Sequence, residues 1–426
     1  MSEQAEPRNA APAAKSANLF YAWEFGANLG HIGAFLPLAR ALKDHGHRVH
    51  WAVTDTAAAA RLLPQEGFTW FQAPRCEEHK RPGPPLTYAD ILLRFGYQQA
   101  ADLLGLVVAW RELLKLTQAD LVLVDHAPTA LLAARTLGLP VMQFSNGFTV
   151  PPRQRPLPNM RPWQPLPAEQ LLALEDAALA SVNAVLAHFG QASLPALATL
   201  FDVAEEALIT YPELDHYESR GPARYWGSLP AAPTGLVPPW PPLTEAGRET
   251  PATPKKIFAY LRPEIPLAEA ALRALGKCEA STVVYCPGIN PTAREALQSS
   301  RLIFVDSPVN LQKAAAEADL AVTYASLATT TAFLLAGKPL LLLPSHLEQF
   351  LLARRVAAMG AGLVANPEQP PQDFLPLLQD LLDKPDYRAN AQAFAAKYAH
   401  FQQDQVIANL VRRVDELCAV AAKEHP

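Results

Sequence analysis

Residues 318–362 read ADLAVTYASLATTTAFLLAGKPLLLLPSHLEQFLLARRVAAMGAG, an order of segments that few folds accommodate. A short apolar strand, Leu320 to Val322, breaks into small residues and hydroxyls from Thr323 to Thr331. A short helix to Ala336 follows, then a Gly337-Lys338-Pro339 turn and an all-apolar strand from Leu340 to Leu343. Pro344 leads into a polar turn, Ser345 to Gln349, and an amphipathic helix that stops at Gly360. Strand, helix and second buried strand in this order make a β-α-β unit of a parallel sheet. At its carboxyl edge, backbone N–H groups and the helix dipole favour an anion. The same pattern also describes an ordinary β-α-β unit with a tight turn, since such patterns recur without a site.

The alternation extends along the chain. After Asn18 a short apolar strand, Leu19 to Trp23, runs through Glu24-Phe25-Gly26-Ala27-Asn28-Leu29-Gly30-His31 into a helix with Ile32, Phe35, Leu36, Ala39 and Leu42 on one face. Gly46 suits its left-handed C-cap, and Arg48 to Thr54 is the next strand. The glycines of this turn, Gly26, Gly30 and Gly33, lack dinucleotide-fingerprint spacing. Further strands are expected at Thr69–Gln72, Ala119–Asp125, Pro140–Phe144 and Leu208–Glu213, with helices between them. The proline-rich run Val150–Pro167 reads as an extended loop that walls a substrate pocket or simply crosses the surface. The second half repeats the theme with strands at Lys256–Leu261, Thr282–Cys286 and Leu302–Val305, and one long helix over Asn390–Leu417.

Length and composition bound the rest. A chain of 426 residues exceeds one compact core. A tail over 1–17, a first domain over 18–228, a proline-rich linker over 229–254, a second domain over 255–389 and a segment 390–426 crossing back to the first domain are expected. The 41 prolines, against a usual share of about 5%, cluster in loops and linker. A net charge of −5 without a long basic run argues against nucleic acid. Cys76, Cys278, Cys286 and Cys418 show neither CxxC nor metal spacing, which suits a reduced cytoplasmic chain. No run approaches the ~18 apolar residues of a spanning helix, which leaves room for a peripheral membrane contact only. Oligomeric state is not legible.

Three local patterns fall in one order: Gly30-His31-Ile32 opening a helix, Asp125 closing the strand DLVLVD, and the box from Thr323 to Gln349. Together they resemble the bacterial and plant UDP-glycosyltransferase-like family of GT-B fold. The resemblance covers nearly the whole chain after Asn18. It implies an α/β chain of two doubly wound, Rossmann-like domains facing across a nucleotide-sugar cleft. Thr323, Thr329, Thr330, Gly337, Pro339, Pro344, Glu348 and Gln349 keep the spacing of the family's donor box, and Ala353-Arg354-Arg355-Val356 and Gly360-Ala361-Gly362 continue it. Tyr225-Trp226-Gly227-Ser228-Leu229 looks like the family's entry to the linker.

The departures lie where the family holds its donor. Its diphosphate-contacting His and the two following glycines fall on Tyr324, Ala325 and Ser326, and its ribose-contacting Glu falls on Ala332. Its Pro-Gln at the base becomes Pro308-Val309, with Asn310 adjacent. The Gly/Ser turn after the domain's first strand becomes Leu261-Arg262-Pro263-Glu264. Alanine resists positive φ, so the Ala325 loop is expected to hold its amides farther from phosphate. Arg262 and the hydroxyls of Ser326, Thr329 and Thr330 are the expected diphosphate contacts, since a guanidinium binds phosphate bidentately. The duller reading pairs Arg262 with Glu264.

The resemblance further implies an inverting glycosyltransferase. His31 is its general base, Asp125 orients the ring, and Glu348 and Gln349 bind sugar hydroxyls. No metal and no cofactor are called for. The donor is a nucleotide-diphosphate sugar, a UDP-sugar in preference to a dTDP-sugar, and Phe25, Phe148 and Trp163 suggest a small, partly hydrophobic acceptor. His31 as a helix-end residue, Asp125 as a helix cap and Glu348-Gln349 as a helix start are the bland alternatives. His45, His47 and His126 read as structural. The competing class is a non-catalytic GT-B homologue that binds or activates a partner. An epimerase would want further carboxylates.

Overall fold

The computed structural model describes residues 16–26, 30–229, 234–242 and 254–424. Most of the expected tail, and the linker positions 230–233 and 243–253, lie outside the described residues. The chain divides into two compact units. The first comprises 1–208, 219–224 and 404–426, and the second 209–218 and 225–403.

The first unit is built on six parallel strands: β1 (Asn18–Trp23), β2 (Arg48–Val53), β3 (Trp70–Gln72), β4 (Leu121–Asp125), β5 (Val141–Ser145) and β6 (Glu205–Leu208), in the order β3-β2-β1-β4-β5-β6. Helices cover both faces, so β1 and β4 read as unbroken apolar runs. The helix Gly30–Asp44 buries Ile32, Phe35, Leu36, Ala39 and Leu42, the face its spacing indicates. Gly46 takes φ +98°, and the chain turns straight into β2.

The Pro151–Pro167 run has no regular structure but is tied down. Glu175, wholly buried in the helix Ala168–His188, accepts the amide hydrogens of Leu157 at 2.9 Å and Leu197 at 3.3 Å. By length and composition this helix is apolar enough to cross a membrane, which the expectation of no such run overlooked. Its buried face, with Glu175 and Ser181 among Leu171, Ala178 and Val182, belongs to the core of the unit.

The second unit carries β7 (Lys256–Tyr260), β8 (Ser281–Tyr285), β9 (Leu302–Val305), β10 (Leu320–Thr323), β11 (Leu340–Leu342) and β12 (Gly362–Val364), in the order β12-β11-β10-β7-β8-β9. Counted from its own first strand, this is the order of the first sheet. The sequence reading lacked β12 and the helices Pro291–Leu297 and Leu375–Asp383. It also placed a strand at Leu208–Glu213. Instead β6 ends at Leu208, and Ile209–Glu218 joins the second unit, turning at Pro212–Leu214.

The single helix expected over Asn390–Leu417 is two. Pro385–Lys397 stays in the second unit, and Gln403–Glu424 packs in the first, from Asp404 onward. Asp415 of the latter receives the Nε2 atoms of His45 and His47 at 3.0 Å each. His47 Nδ1 accepts the Ala17 amide hydrogen at 3.3 Å, which leaves its proton on Nε2 to donate to Asp415.

Candidate active site

In each sheet the strand order reverses at one place, between β1 and β4 and between β7 and β10. The carboxyl ends of such strands are where open α/β sheets bind ligands. Every expected catalytic residue falls at the first of these points.

Trp23 and Asp125 are register partners at the ends of β1 and β4. His31 is the second residue of the following helix, and its Nδ1 lies 2.8 Å from Asp125 Oδ2. A carboxylate only accepts, so Nδ1 carries the hydrogen, and in the neutral ring Nε2 carries the lone pair. Tyr21 Oη also donates to Asp125 Oδ2, at 2.8 Å, and reaches the His31 carbonyl at 3.3 Å. Burial, with Asp125 alongside, pushes the Tyr21 phenol well above its ordinary range, so it remains a donor. The Trp23 ring stacks on His31 with centroids 4.8 Å apart, and its Nε1 donates to the Phe25 carbonyl at 2.6 Å.

Gly26 completes the arrangement. At φ +95° it is in the left-handed region, and a Cβ there would lie 3.0 Å from His31 Nε2. Any side chain at this position would crowd that nitrogen. The dyad has the chemistry of an oriented imidazole that takes a proton from a hydroxyl.

Sequence reasoning missed Tyr21, Trp23, Glu24 and the place of His126. Tyr21 and Trp23 sit two apart on β1 and face one side. Only the apolar environment of a polar-tipped aromatic pair hinted at them. His126 adopts φ +48°, and its ring stands 6.4 Å from His31, among Phe25, Tyr88 and Phe148. It thus stands among the residues around the dyad. Trp163, expected beside the acceptor, pairs with Arg161, its ring 5.8 Å from the guanidinium.

At the second reversal Tyr324 follows β10, and Arg262 follows β7. The Arg262 guanidinium lies 5.9 Å from the Tyr324 ring, and Tyr260 packs edge-on to Tyr324 at 5.0 Å with Tyr285 beyond it at 5.1 Å. Burial raises the Tyr324 phenol, Tyr260 adds to this, and Arg262 opposes it. Glu264 lies 3.7 Å from Arg262. The pairing of Arg262 with Glu264 is thus present in the fold.

Ala325 overturns one expectation. It takes φ +62° despite its Cβ, and its N–H reaches Thr323 Oγ1 at 3.3 Å. The loop keeps a glycine's conformation, with strain of about 1–2 kcal/mol. Ser326 precedes the helix Leu327–Leu335 as its N-cap, and its hydroxyl donates to Thr329 Oγ1 at 3.0 Å. Thr329 and Thr330 are buried. The first-turn amides have no intrahelical partners.

Val309 is buried in a backbone bridge to Leu236, in which Leu236 N–H donates to Pro308 O at 2.8 Å and Asn310 N–H to Leu236 O at 2.9 Å. Gln349 Oε1 accepts from Ser345 N–H and Oγ, both at 2.9 Å, which closes the polar turn and leaves its NH₂ to donate elsewhere. Glu348 is partly exposed beside it, in the first turn of the helix Leu347–Ala358. Ala332 lies in the helix Leu327–Leu335 and has no polar group to offer.

No family model and no curated protein matches the sequence. Solved structures do. The spinosyn rhamnosyltransferase SpnG aligns over 94% of this chain and 100% of its own, with TM-score 0.63 and 19% identity. Glycosyltransferase VinC, solved in complex with dTDP, aligns over 95% and 99%, with TM-score 0.64 and 20% identity. The Streptomyces sp. SF2575 glycosyltransferase SsfS6, complexed with thymidine diphosphate, aligns over 94% and 99%, with TM-score 0.60 and 19% identity. The chain has the GT-B fold. The two Rossmann-like sheets of that fold are the pair described above.

Proposed function

We propose that the protein is an inverting glycosyltransferase that moves a sugar from a nucleotide-diphosphate sugar to a hydroxyl of a small, partly hydrophobic acceptor. The observation that carries this reading is the 2.8 Å contact of His31 Nδ1 with Asp125 Oδ2 at the carboxyl ends of β1 and β4. Nε2 takes the acceptor hydroxyl's proton, and Asp125 stabilises the imidazolium that forms. The deprotonated oxygen displaces the nucleoside diphosphate at the anomeric carbon with inversion.

The leaving diphosphate is held by first-turn amides of the helix Leu327–Leu335 and by Arg262, in place of the family's histidine. Glu348 and the Gln349 NH₂ bind sugar hydroxyls. The chemistry requires no metal. UDP- and dTDP-sugars are the donors to test first, the latter because VinC and SsfS6 were solved with thymidine diphosphate. The proposed setting is the cytoplasm, in keeping with four cysteines without disulfide or metal spacing.

His31→Ala is expected to slow transfer by about 10²-fold or more while nucleotide binding persists. Turnover equal to the native chain would remove His31 from the chemistry. A second reading, a homologue that binds without transferring, is favoured by Tyr324 and Ala332. Thermal shifts separate the two, because a nucleotide at a hundred times its Kd adds about 2.7 kcal/mol. UDP, dTDP and GDP all leaving Tm unmoved would favour the second reading.

A further inference from the structure

Glu24 follows β1 directly and is 2% exposed. Its Oε2 accepts the Thr129 amide hydrogen at 3.0 Å, in the first turn of the helix Pro128–Leu137. Its Oε1 is buried with no hydrogen-bond partner among the described residues. Buried polar atoms without partners are rare and costly, and they call for an explanation. Thr129 itself is held by Tyr97, whose Oη lies 3.2 Å from Thr129 Oγ1. The Phe25 amide donates to His126 O at 3.0 Å, which ties the residue after Glu24 to the turn after Asp125.

Burial raises the Glu24 carboxyl to about 8, against the lowering effect of Thr129. At neutral pH it is therefore a carboxylic acid. With Oε2 accepting from Thr129, the proton resides on Oε1 as a donor that nothing in the described chain receives. Rings surround the same strand ends. Phe25 packs on Phe95 at 4.6 Å and against His126 at 5.3 Å, and His126 meets Tyr88 at 6.0 Å and Phe148 at 6.2 Å. A flat, apolar ligand body bearing a carbonyl oxygen matches both features.

We infer that Glu24 is a specificity residue for the acceptor, donating a hydrogen bond from Oε1 to a carbonyl oxygen on an aromatic or polycyclic aglycone. This rests on the glycosyltransferase reading for its biological meaning, but the contact can be measured without turnover. A site built to donate a hydrogen bond discriminates strongly against a ligand that lacks the acceptor.

The test is binding of 2-hydroxyanthraquinone against 2-hydroxyanthracene at pH 7, two planar probes that differ in the ring carbonyls. The native chain should favour the quinone by about 10-fold or more. Glu24→Gln should keep that preference, since an amide offers the same carbonyl to Thr129 and an N–H donor in place of the acid proton. Glu24→Met should abolish it. Equal affinity of the native chain for both probes, or a preference kept by Glu24→Met, overturns the inference. Binding of neither probe overturns the aromatic ligand class.

Should the Met variant fail to fold, the pH arm decides. The Tyr97 phenol and the Cys76 thiol lie within range of the Glu24 charge, Asp102 acts on Cys76, and His31 and Asp125 occupy the adjoining strand ends. Glu24→Gln retains all of these, so a difference from the native chain isolates Glu24. The native preference should fade as pH passes about 8, and that of Glu24→Gln should not. A native preference constant to pH 9 sinks the proposal. Nucleotide-induced thermal shifts, read on the same samples, report on the transferase reading separately.

Discussion

The two sheets share one strand order and each reverses once, yet their reversal points keep different things. Between β1 and β4 the side chains of the candidate dyad are held by contacts among His31, Tyr21, Trp23 and Asp125. Between β7 and β10 the distinctive feature is the backbone of the loop. Ala325 holds a left-handed turn that glycine would take without strain, and Tyr324 and Arg262 occupy the strand ends. A parallel sheet therefore specifies where a ligand goes more firmly than which groups meet it. The loop geometry follows from helix and strand packing, whereas the chemistry is a choice made one residue at a time.

That contrast can be pressed hardest at Asp125. Replacement by Ala should cost transfer about 10²-fold, and the double variant with His31→Ala should lose little more than either alone, as groups acting as one unit do. Additive losses would mean that the two side chains act separately. At the second point, Arg262→Ala should weaken dTDP or UDP binding about tenfold and leave nucleoside binding unchanged, by titration calorimetry. Equal losses for nucleotide and nucleoside would detach Arg262 from the diphosphate.

Glu24 offers a stability test of the first point. The unfolded chain ionises this carboxyl near 4.5, whereas the folded chain keeps its proton up to about 8. Between those values the folded state binds more protons, so this group's contribution to stability falls as pH rises. Glu24→Gln carries no such proton. Its unfolding free energy relative to the native chain should climb from pH 5 to pH 8, by up to roughly 3 kcal/mol, and level off above, by denaturant unfolding. A difference that stays flat with pH would place the carboxyl in contact with water. The smallest effect is expected at Ala325. Substitution by Gly removes left-handed strain but adds unfolded-state freedom, for a net gain of up to about 1 kcal/mol in denaturant unfolding. Destabilisation would show that the Ala325 methyl packs usefully in its buried position.

The strand-helix alternation is legible in the sequence because a sheet covered on both faces needs near-continuous apolar strands, whereas the strand order is not. His31 and Asp125 are legible too, each falling where a strand meets the following helix. What escapes is short or long-range. β12 has three residues, Gly362 to Val364, too few for any period to register. The break between Pro385–Lys397 and Gln403–Glu424 carries no proline or glycine, and the chain turns there with Tyr398 and Phe401 packed against Tyr211. Tyr21 looks like one more apolar strand residue until Asp125, more than a hundred positions on, is placed beside it. Ala325 argues against its own backbone, because local propensity is overridden by what surrounds the turn.

The helix Gln403–Glu424 has a consequence for synthesis. It belongs to the first unit, secured by Asp415 on His45 and His47 and by Arg413 on Glu205 at 2.6 Å. On the ribosome, the opening sheet must wait for nearly the whole chain to emerge before this helix can cover it. The unit translated first is thus completed last. A fragment that stops at Leu208 would leave the surface around His47 uncovered, and is better expressed with residues 404–424 supplied in trans than alone.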